Sequence, residues 1–517
     1  MNAARLADLA TENTFAALPA DFYTRLSPNP PGEPRLLHAN AAAAELIGLD
    51  PAAFATPEFL AVCSGQAPLP GGNTLAAVYS GHQFGVWAGQ LGDGRAHLLG
   101  EIKGPTGSWE LQLKGAGRTP YSRMGDGRAV LRSSVREYLA GEAMHGLGIP
   151  TTRALALVVS DEPVVRETLE TAAVVTRMAP SFVRFGSFEH WGFNDRPDLL
   201  RILADYVMDK FYPECREAPG EQGPLLALLD AVMRRTARLM ADWQTVGFCH
   251  GVMNTDNMSI LGLTLDYGPY GFMDAFQADH ICNHTDAQGR YAWSRQPSAG
   301  LWNLYRLAGA LHALIPDTDA LRATLDGYEA AFADAFCRRM AAKLGIAQWQ
   351  DDDEPLVDDL LRLMHANRAD FTLTFRRLSG AVRGAEQGFL APGRSQGKNG
   401  PPGGQQAAGA ASSGPFLDHF IDRPAAQAWL QRLQARHAAE GRAPAERAAA
   451  MDRVNPLYVL RNHLAELAIR AAKEGDVSEI DTLLMLLADP CTERPGFERY
   501  ANLPPDWAAG IEVSCSS

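Results

Sequence analysis

At Pro197 the hydrophobic periodicity of this chain changes from two residues to about 3.6, and one kind of layer cannot satisfy both halves. Upstream, Trp109-Glu-Leu-Gln-Leu-Lys114 alternates strictly. That pattern places Trp109, Leu111 and Leu113 on one strand face and Glu110, Gln112 and Lys114 on the polar one. Ala154 to Val159 and Ala172 to Arg177 read as further strands, and Gln90 to Arg95, with its Asp-Gly pair, reads as the tight turn of a hairpin. Ser134-Val-Arg-Glu137 has the form of a capping box and opens a helix that ends between Gly146 and Pro150. Downstream, helical spacing runs through 199–211, 225–245, 302–344, 356–378, 425–439 and 456–473, with the last ~30 residues irregular. The fold class expected is α+β, a strand-rich part followed by a helical one.

The helical segment 225–245 leads directly into Phe248-Cys-His250-Gly-Val252-Met-Asn-Thr-Asp256-Asn257, and Asp266-Tyr-Gly268 follows. Phosphotransferases of the protein-kinase type carry His-x-Asp, four residues, then Asn; the Asp takes the hydroxyl proton, and the Asn and a later Asp-x-Gly hold Mg²⁺. His250, Asn257 and Asp266 keep this pattern, but Val252 stands at the base position. An isopropyl group accepts no proton, so ordinary hydroxyl phosphorylation with the usual base is excluded. Asp256 is the nearest replacement carboxylate. Asn257 and Asp266 offer hard oxygen ligands for Mg²⁺, with Mn²⁺ the alternative, and His250 reads as a brace for the loop. Cys249-His250 and Cys282-x-His284 match no zinc spacing.

Lys114 and Glu137 lie on a strand and the following helix, as a phosphate-binding lysine and its orienting carboxylate would. The alternative is a solvated lysine and a glutamate that caps its own helix through Ser134. Gly92-Asp-Gly94-Arg95 and Gly125-Asp126-Gly127-Arg128 are turns whose backbone can approach an anion, each followed by a guanidinium that can grip phosphate; either can equally be a plain hairpin corner. Arg177 and Arg184 sit in apolar runs and need an anionic partner, a phosphate or a structural carboxylate.

Composition bounds the remaining possibilities. The chain has 517 residues, 46% of them apolar, enough for several layers or domains. A net charge of -13 argues against sequence-independent nucleic-acid binding. No apolar run approaches the ~20 residues of a membrane span and no apolar signal core opens the sequence, so the expected location is the cytoplasm. Seven cysteines are scattered without a C-x-x-C pair, which suits neither a zinc nor a disulfide framework. Gly393 to Gly414 is too poor in apolar residues to offset ordering entropy and reads as a disordered linker.

Taken together, Tyr79-Ser-Gly-His-Gln-Phe-Gly, Gly92-Asp-Gly-Arg95, Leu111-Gln-Leu-Lys114-Gly-Ala-Gly-Arg, Arg132-Ser-Ser-Val-Arg-Glu137, His250 to Asn257, Asp266-Tyr-Gly and the terminal Cys515-Ser-Ser resemble the selenoprotein O family. The resemblance implies a protein-kinase-like two-lobed fold. Its expected parts are an extension 1–78, a strand-rich lobe 79–195, a helical lobe 196–392 with the catalytic and metal loops, the linker 393–414, and a C-terminal helical segment with a redox tail, 415–517. It implies a monomeric protein adenylyltransferase that moves AMP from ATP to Ser, Thr or Tyr hydroxyls, with the nucleotide flipped relative to kinases. The implied roles are nucleotide binding by Gly92, Gly94, Arg95, Lys114, Asp126, Gly127, Arg177 and Arg184, metal binding by Asn257 and Asp266, and proton acceptance by Asp256. Many members carry selenocysteine where this chain has Cys515; from the residues alone Cys282 can equally be a small buried hydrophobe and Cys515 a free thiol, and the redox activity of the family's terminal residue implies instead a reversible Cys282–Cys515 disulfide. Two other functions compete: a phosphotransferase of the aminoglycoside-kinase type, and a nucleotide-binding scaffold without turnover.

Overall fold

The structure is a computed structural model that describes residues 5–384 and 416–513. The expected linker 393–414 and Cys515 lie outside the described residues.

The strands are β1 (Thr11–Glu12), β2 (Tyr23–Arg25), β3 (Arg35–Ala39), β4 (Leu75–Ala77), β5 (Ser80–Gln83), β6 (Val86–Gln90), β7 (Ala96–Gly104), β8 (Gly107–Lys114), β9 (Ala129–Val130), β10 (Arg153–Val165), β11 (Leu169–Ala179), β12 (Phe248–Cys249) and β13 (Gly271–Phe272). The main sheet runs β2-β4-β7-β8-β11-β10-β3, with β1 on β7 and β9 on β11, and its pairings are antiparallel. Four of its strands, β1, β2, β3 and β4, come from the first 78 residues. Two small ribbons, β5-β6 and β12-β13, stand apart. The strands expected at 154–159 and 172–177 form the long β10-β11 hairpin. The Asp-Gly turn at 90–95 does not close a hairpin: β6 pairs backward with β5, while β7 pairs forward with β8. Gly92 and Gly94 instead let the turn lie against Tyr121, whose ring and carbonyl fill the space a Cβ would need.

The helices are α1 (Ala41–Leu46), α2 (Pro57–Ser64), α3 (Leu131–Gly146), α4 (Phe185–Phe193), α5 (Pro197–Phe211), α6 (Gly223–Thr245), α7 (Gln296–Leu311), α8 (Thr318–Leu325), α9 (Tyr328–Leu344), α10 (Glu354–Asn367), α11 (Phe371–Gly384), α12 (Arg423–Ala438), α13 (Pro444–Asp452), α14 (Asn462–Lys473) and α15 (Ser478–Ala488). The expected long helix 302–344 is three, because Asp317 caps a new start at α8 and Gly327 begins another. The run 356–378 breaks at Arg368, whose φ of 49° is left-handed. Helix α3 starts before Ser134, so no capping box forms there; Ser134 Oγ is buried without a partner among the described residues. Periodicity gave no sign of α4 or α13. Among the described residues no helix is long and apolar enough to cross a membrane.

Both faces of the sheet are covered. Leu111, Leu113, Leu155 and Val158 pack with α1 and α2, and Val175 and Leu157 pack with α3 in the large cluster that continues into α5, α6 and α7. The polar face of β8 therefore points inward, contrary to a solvated strand, with Glu110 and Gln112 buried. The chain after β11 is stitched to the chain after the 3-10 turn Thr255–Asn257 by Phe185 N to Met258 O, 2.9 Å, and Ile260 N to Val183 O, 3.1 Å. Helix α4 thereby lies against that turn and β5. A Cβ on Gly186 would stand 2.2 Å from Ser80 O and 3.3 Å from Asp256 Cα. Gly186→Ala is expected to destabilise the protein by about 1–3 kcal/mol through overpacking, read as a lower thermal midpoint; an unchanged midpoint contradicts this packing.

Candidate active site

The alternation of β8 brings Gln112 and Lys114 to the face occupied by α3, and register places Arg177 of β11 opposite Gln112. Lys114 Nζ donates to Glu137 Oε2 at 2.5 Å, so the strand–helix pair read from spacing is formed, and Glu137 does not cap its own helix. Glu137 Oε1 accepts from Arg177 at 3.1 Å, and Arg177 also donates to Gln112 Oε1 and, at 2.5 Å, to Asp266 Oδ1. Arg184, at the start of α4, donates to Asp266 Oδ2 and, at 2.6 Å, to the carbonyl of Asp256. Six of the expected residues thus form one continuous polar chain: Lys114, Glu137, Arg177, Asp266, Arg184 and Asp256. Two buried guanidiniums on one carboxylate hold Asp266 well below the usual carboxylate range, even though burial alone would raise it. Asp266 also has a left-handed backbone, φ 59°, closed by Gly268 N to its carbonyl at 2.8 Å.

Arg95 enters from the start of β7. Among the described residues it donates to the Arg128 carbonyl at 3.5 Å and forms no ion pair with a carboxylate. Burial lowers its pKa, with Glu137 and Asp266 acting in the opposite sense. An anion that supplied the missing counter-charge would be stabilised here. The two glycine turns are joined beside it: Ser122 Oγ donates to Gly94 O, Thr119 Oγ1 donates to Asp93 O at 2.8 Å, and Gly117 N donates to Gly127 O at 3.1 Å. Asp126 sits on the rim in a fork from Arg166, 2.7 and 3.0 Å, which lowers its pKa to about 2. Its neighbour Gly127 has φ 75° and lies so close to Gly117 that no side chain fits.

The 3-10 turn carries Asp256 and Asn257. His250 is buried, stacks on Trp243 with centroids 5.2 Å apart, donates from Nε2 to Leu265 O at 2.9 Å and accepts from Val252 N. Both ring nitrogens are used, so His250 braces the loop. Asn257 Nδ2 donates to Val252 O at 3.1 Å, so the backbone of the substituted position now positions the asparagine.

The β5-β6 ribbon, which gave no functional signal beyond the quoted motif, holds the turn from the other side. Phe84 N donates to Asn254 Oδ1 at 3.0 Å, His82 N to Thr255 Oγ1 at 2.7 Å and Gln83 Nε2 to Asp256 Oδ2 at 3.1 Å. Behind it, His82 Nδ1 meets Glu189 Oε1 at 2.6 Å and Thr255 donates to the other oxygen of that fully buried carboxyl, which burial pushes up to about 7. Asp93, also unanticipated, accepts from Gln112 at 3.2 Å.

Asp256 Oδ1 is buried with no partner among the described residues, and burial pushes this carboxyl up to about 6. Asn257 and Asp266 carry side-chain oxygens of the hard type that could hold Mg²⁺, and Asp256 keeps a carboxyl oxygen open beside Asn257 on the same turn. Among the described residues no three His, Cys, Asp or Glu side chains gather as a protein-only metal cage. Cys282 is half-buried with its thiol on Cys249 O at 3.3 Å, against Gly251 of the loop, and burial raises its pKa. Cys515 lies outside the described residues, but Val513 O accepts from His284 Nδ1 at 3.0 Å, two residues from Cys282.

Because Asp256 titrates higher when folded than its ordinary 3.8, its protonated form favours folding at low pH, and that contribution is lost as pH rises through about 6. Asp256→Asn has no such loss. Its unfolding free energy, from denaturant titration, is expected to exceed that of the unsubstituted protein by a margin that grows between pH 5 and pH 8 by on the order of 1 kcal/mol. A margin that is constant or shrinks contradicts the burial of an unpaired carboxyl.

The sequence profile described as "Protein adenylyltransferase SelO" matches residues 5–488. The chain is 71% identical to the "Protein nucleotidyltransferase YdiU" of Bordetella petrii over 524 aligned residues, covering 100% of both proteins. It is 54% identical to the proteins of the same name from Dechloromonas aromatica, over 98% of this chain and 97% of the relative, and Burkholderia multivorans, over 99% and 97%. By residue pattern and by alignment along nearly its whole length, the chain belongs to the SelO family of protein adenylyltransferases.

Proposed function

We propose that the protein transfers AMP from ATP to Ser, Thr or Tyr hydroxyls of other proteins, with Mg²⁺ bound by Asn257 and Asp266. The observation that carries this reading is the gathering of Arg95, Lys114, Arg177 and Arg184 on one side of Asp266, opposite a catalytic-loop position filled by Val252. Lys114 and Arg177 share Glu137, Arg177 and Arg184 share Asp266, and Arg95 forms no ion pair with a carboxylate among the described residues, so a nucleotide's terminal phosphates would serve as its counter-charge. The flipped orientation puts the β- and γ-phosphates among these cations and turns the α-phosphorus toward Asp256. Bound Mg²⁺ would add charge neutralisation between phosphate oxygens.

In the transfer, the acceptor hydroxyl oxygen forms a bond to the α-phosphorus while the bond from that phosphorus to the α,β-bridging oxygen breaks. Pyrophosphate leaves, and its developing charge is met by Lys114 and the arginines. Asp256, held by Gln83 and with Oδ1 free, takes the hydroxyl proton; its raised pKa suits a base that works near neutrality. We assign residues 79–195 and 196–392 as the strand-rich and helical lobes of a kinase-like arrangement, with 1–78 and 415–517 added to it. The kinase alternative is disfavoured because Val252 is buried and offers no proton acceptor.

With ATP labelled at the α-phosphate, label is expected in protein; with γ-labelled ATP, none is. Asp266→Ala should abolish transfer, and Lys114→Met should lower it by about 10²–10³. Transfer of γ-label, or near-normal activity of either folded variant, contradicts the assignment.

We further propose that Cys282 and Cys515 form a reversible disulfide. The docking of Val513 on His284 supports it by bringing the tail beside the Cys282 segment. Two thiols would give two electrons and two protons to an oxidant such as glutathione disulfide. Non-reducing peptide mapping should find the cross-link after oxidation, with activity rising on reduction; a free Cys515 under oxidising conditions contradicts it.

A further inference from the structure

The β5-β6 ribbon turns its inner strand to the catalytic turn and its outer strand to solvent. Among the described residues strand β6 pairs with β5 alone, leaving an open edge along Val86–Gln90. That edge is apolar: Val86 is 70% exposed, Trp87 39%, and Phe193 of α4, which packs against Trp87 at 5.2 Å, 43%. A bare, apolar edge is a template for another strand, and proteins ordinarily cover or charge such edges.

Beside it stand two arginines with no direct ion pair among the described residues; the carboxyl on which Arg306 acts through its charge, Glu189, is fully buried and pushed up to about 7 by that burial. Arg290 and Arg306 lie 4.5 and 5.0 Å from the ring centroid of Trp302, and Trp302 packs on His82 of the ribbon at 5.5 Å. The guanidinium of Arg290 also lies against Gly85 at the ribbon's tip. The Nε atoms of both arginines are buried without partners, and among the described residues neither forms an ion pair with a carboxylate. In a protein of net charge -13 this is a local reversal of sign. Their field reaches the ribbon, since both lower the pKa of His82 after burial does.

We propose that this surface docks the acceptor: an extended, acidic segment of the target protein adds as a third strand on Val86–Gln90, and its carboxylates pair with Arg290 and Arg306. The proposal rests on the protein-adenylyltransferase reading. The ribbon's three hydrogen bonds to Asn254, Thr255 and Asp256 then couple the docked strand to the turn that receives its hydroxyl. Charge complementarity favours an acidic chain over a second copy of this protein, whose own matching strand carries only Val86, Trp87, Ala88, Gly89 and Gln90.

The test uses the full-length protein, α-labelled ATP and two random copolymers, Glu-Tyr and Lys-Tyr, of equal length. The Glu-Tyr copolymer is expected to be labelled with the lower KM, and polyglutamate, which has no hydroxyl, to inhibit competitively against it. Arg290→Gln with Arg306→Gln should raise KM for Glu-Tyr roughly tenfold, with kcat and ATP affinity unchanged. Equal or better use of Lys-Tyr, or no inhibition by polyglutamate, overturns the proposal even if the double variant does not fold. If neither copolymer is labelled while proteins of a cell extract are, the docking proposal fails and the transferase reading stands. If no protein takes label, both fail.

Discussion

The Asp266 carboxylate, gripped by Arg177 from the sheet and Arg184 from the start of α4, is the interaction on which the site depends. It ties three segments distant in sequence into one polar chain, and the left-handed backbone at Asp266 aims the carboxylate into the gap between them. Buried charges are tolerated only when paired and hydrogen-bonded, and removing one partner leaves an uncompensated charge that costs several kcal/mol. Here the pairing is deliberately unequal. Arg95 is left without a carboxylate, and Lys114, whose pKa burial lowers, shares Glu137 with Arg177.

The catalytic turn is held in a different way. Its own residues supply few internal bonds; the β5-β6 ribbon, α4 and the stacked His250–Trp243 pair fix it from outside. This explains how a loop that lost its usual carboxylate at Val252 can still present Asp256 in a defined place. The new carboxyl is buried, half-satisfied by Gln83 and titrates near neutrality, whereas Asp266 stays ionised throughout. Two carboxylates in one cleft are thus driven apart in pKa by surroundings alone, the separation that the proposed ligand and base roles would need.

The sequence showed the charged chain more readily than the scaffold that carries it. Strict alternation located Lys114, and motif spacing located Glu137, Asn257 and Asp266, because those relations are local or have fixed offsets. Periodicity could not show that the polar face of β8 is buried, since Glu110 and Gln112 look like surface residues until Arg177 and the Phe182 backbone are seen to bond to them. Nor could it find the ribbon that clamps the turn: Gln83 and Asp256 are 173 residues apart, and nothing in either segment names the other. The misplaced hairpin has the same origin. An Asp-Gly turn signals that the chain reverses, and the partner of each flanking strand is set by the sheet.

The account stands or falls on how the cation cluster meets the nucleotide. A crystal structure with Mg²⁺ and a β,γ-imido analogue of ATP tests it most directly. The account predicts the β- and γ-phosphates against Lys114, Arg177 and Arg184, the metal on Asn257 and Asp266, and the α-phosphorus facing Asp256. An analogue bound with its γ-phosphate toward Asp256 and its α-phosphate among the arginines would contradict it.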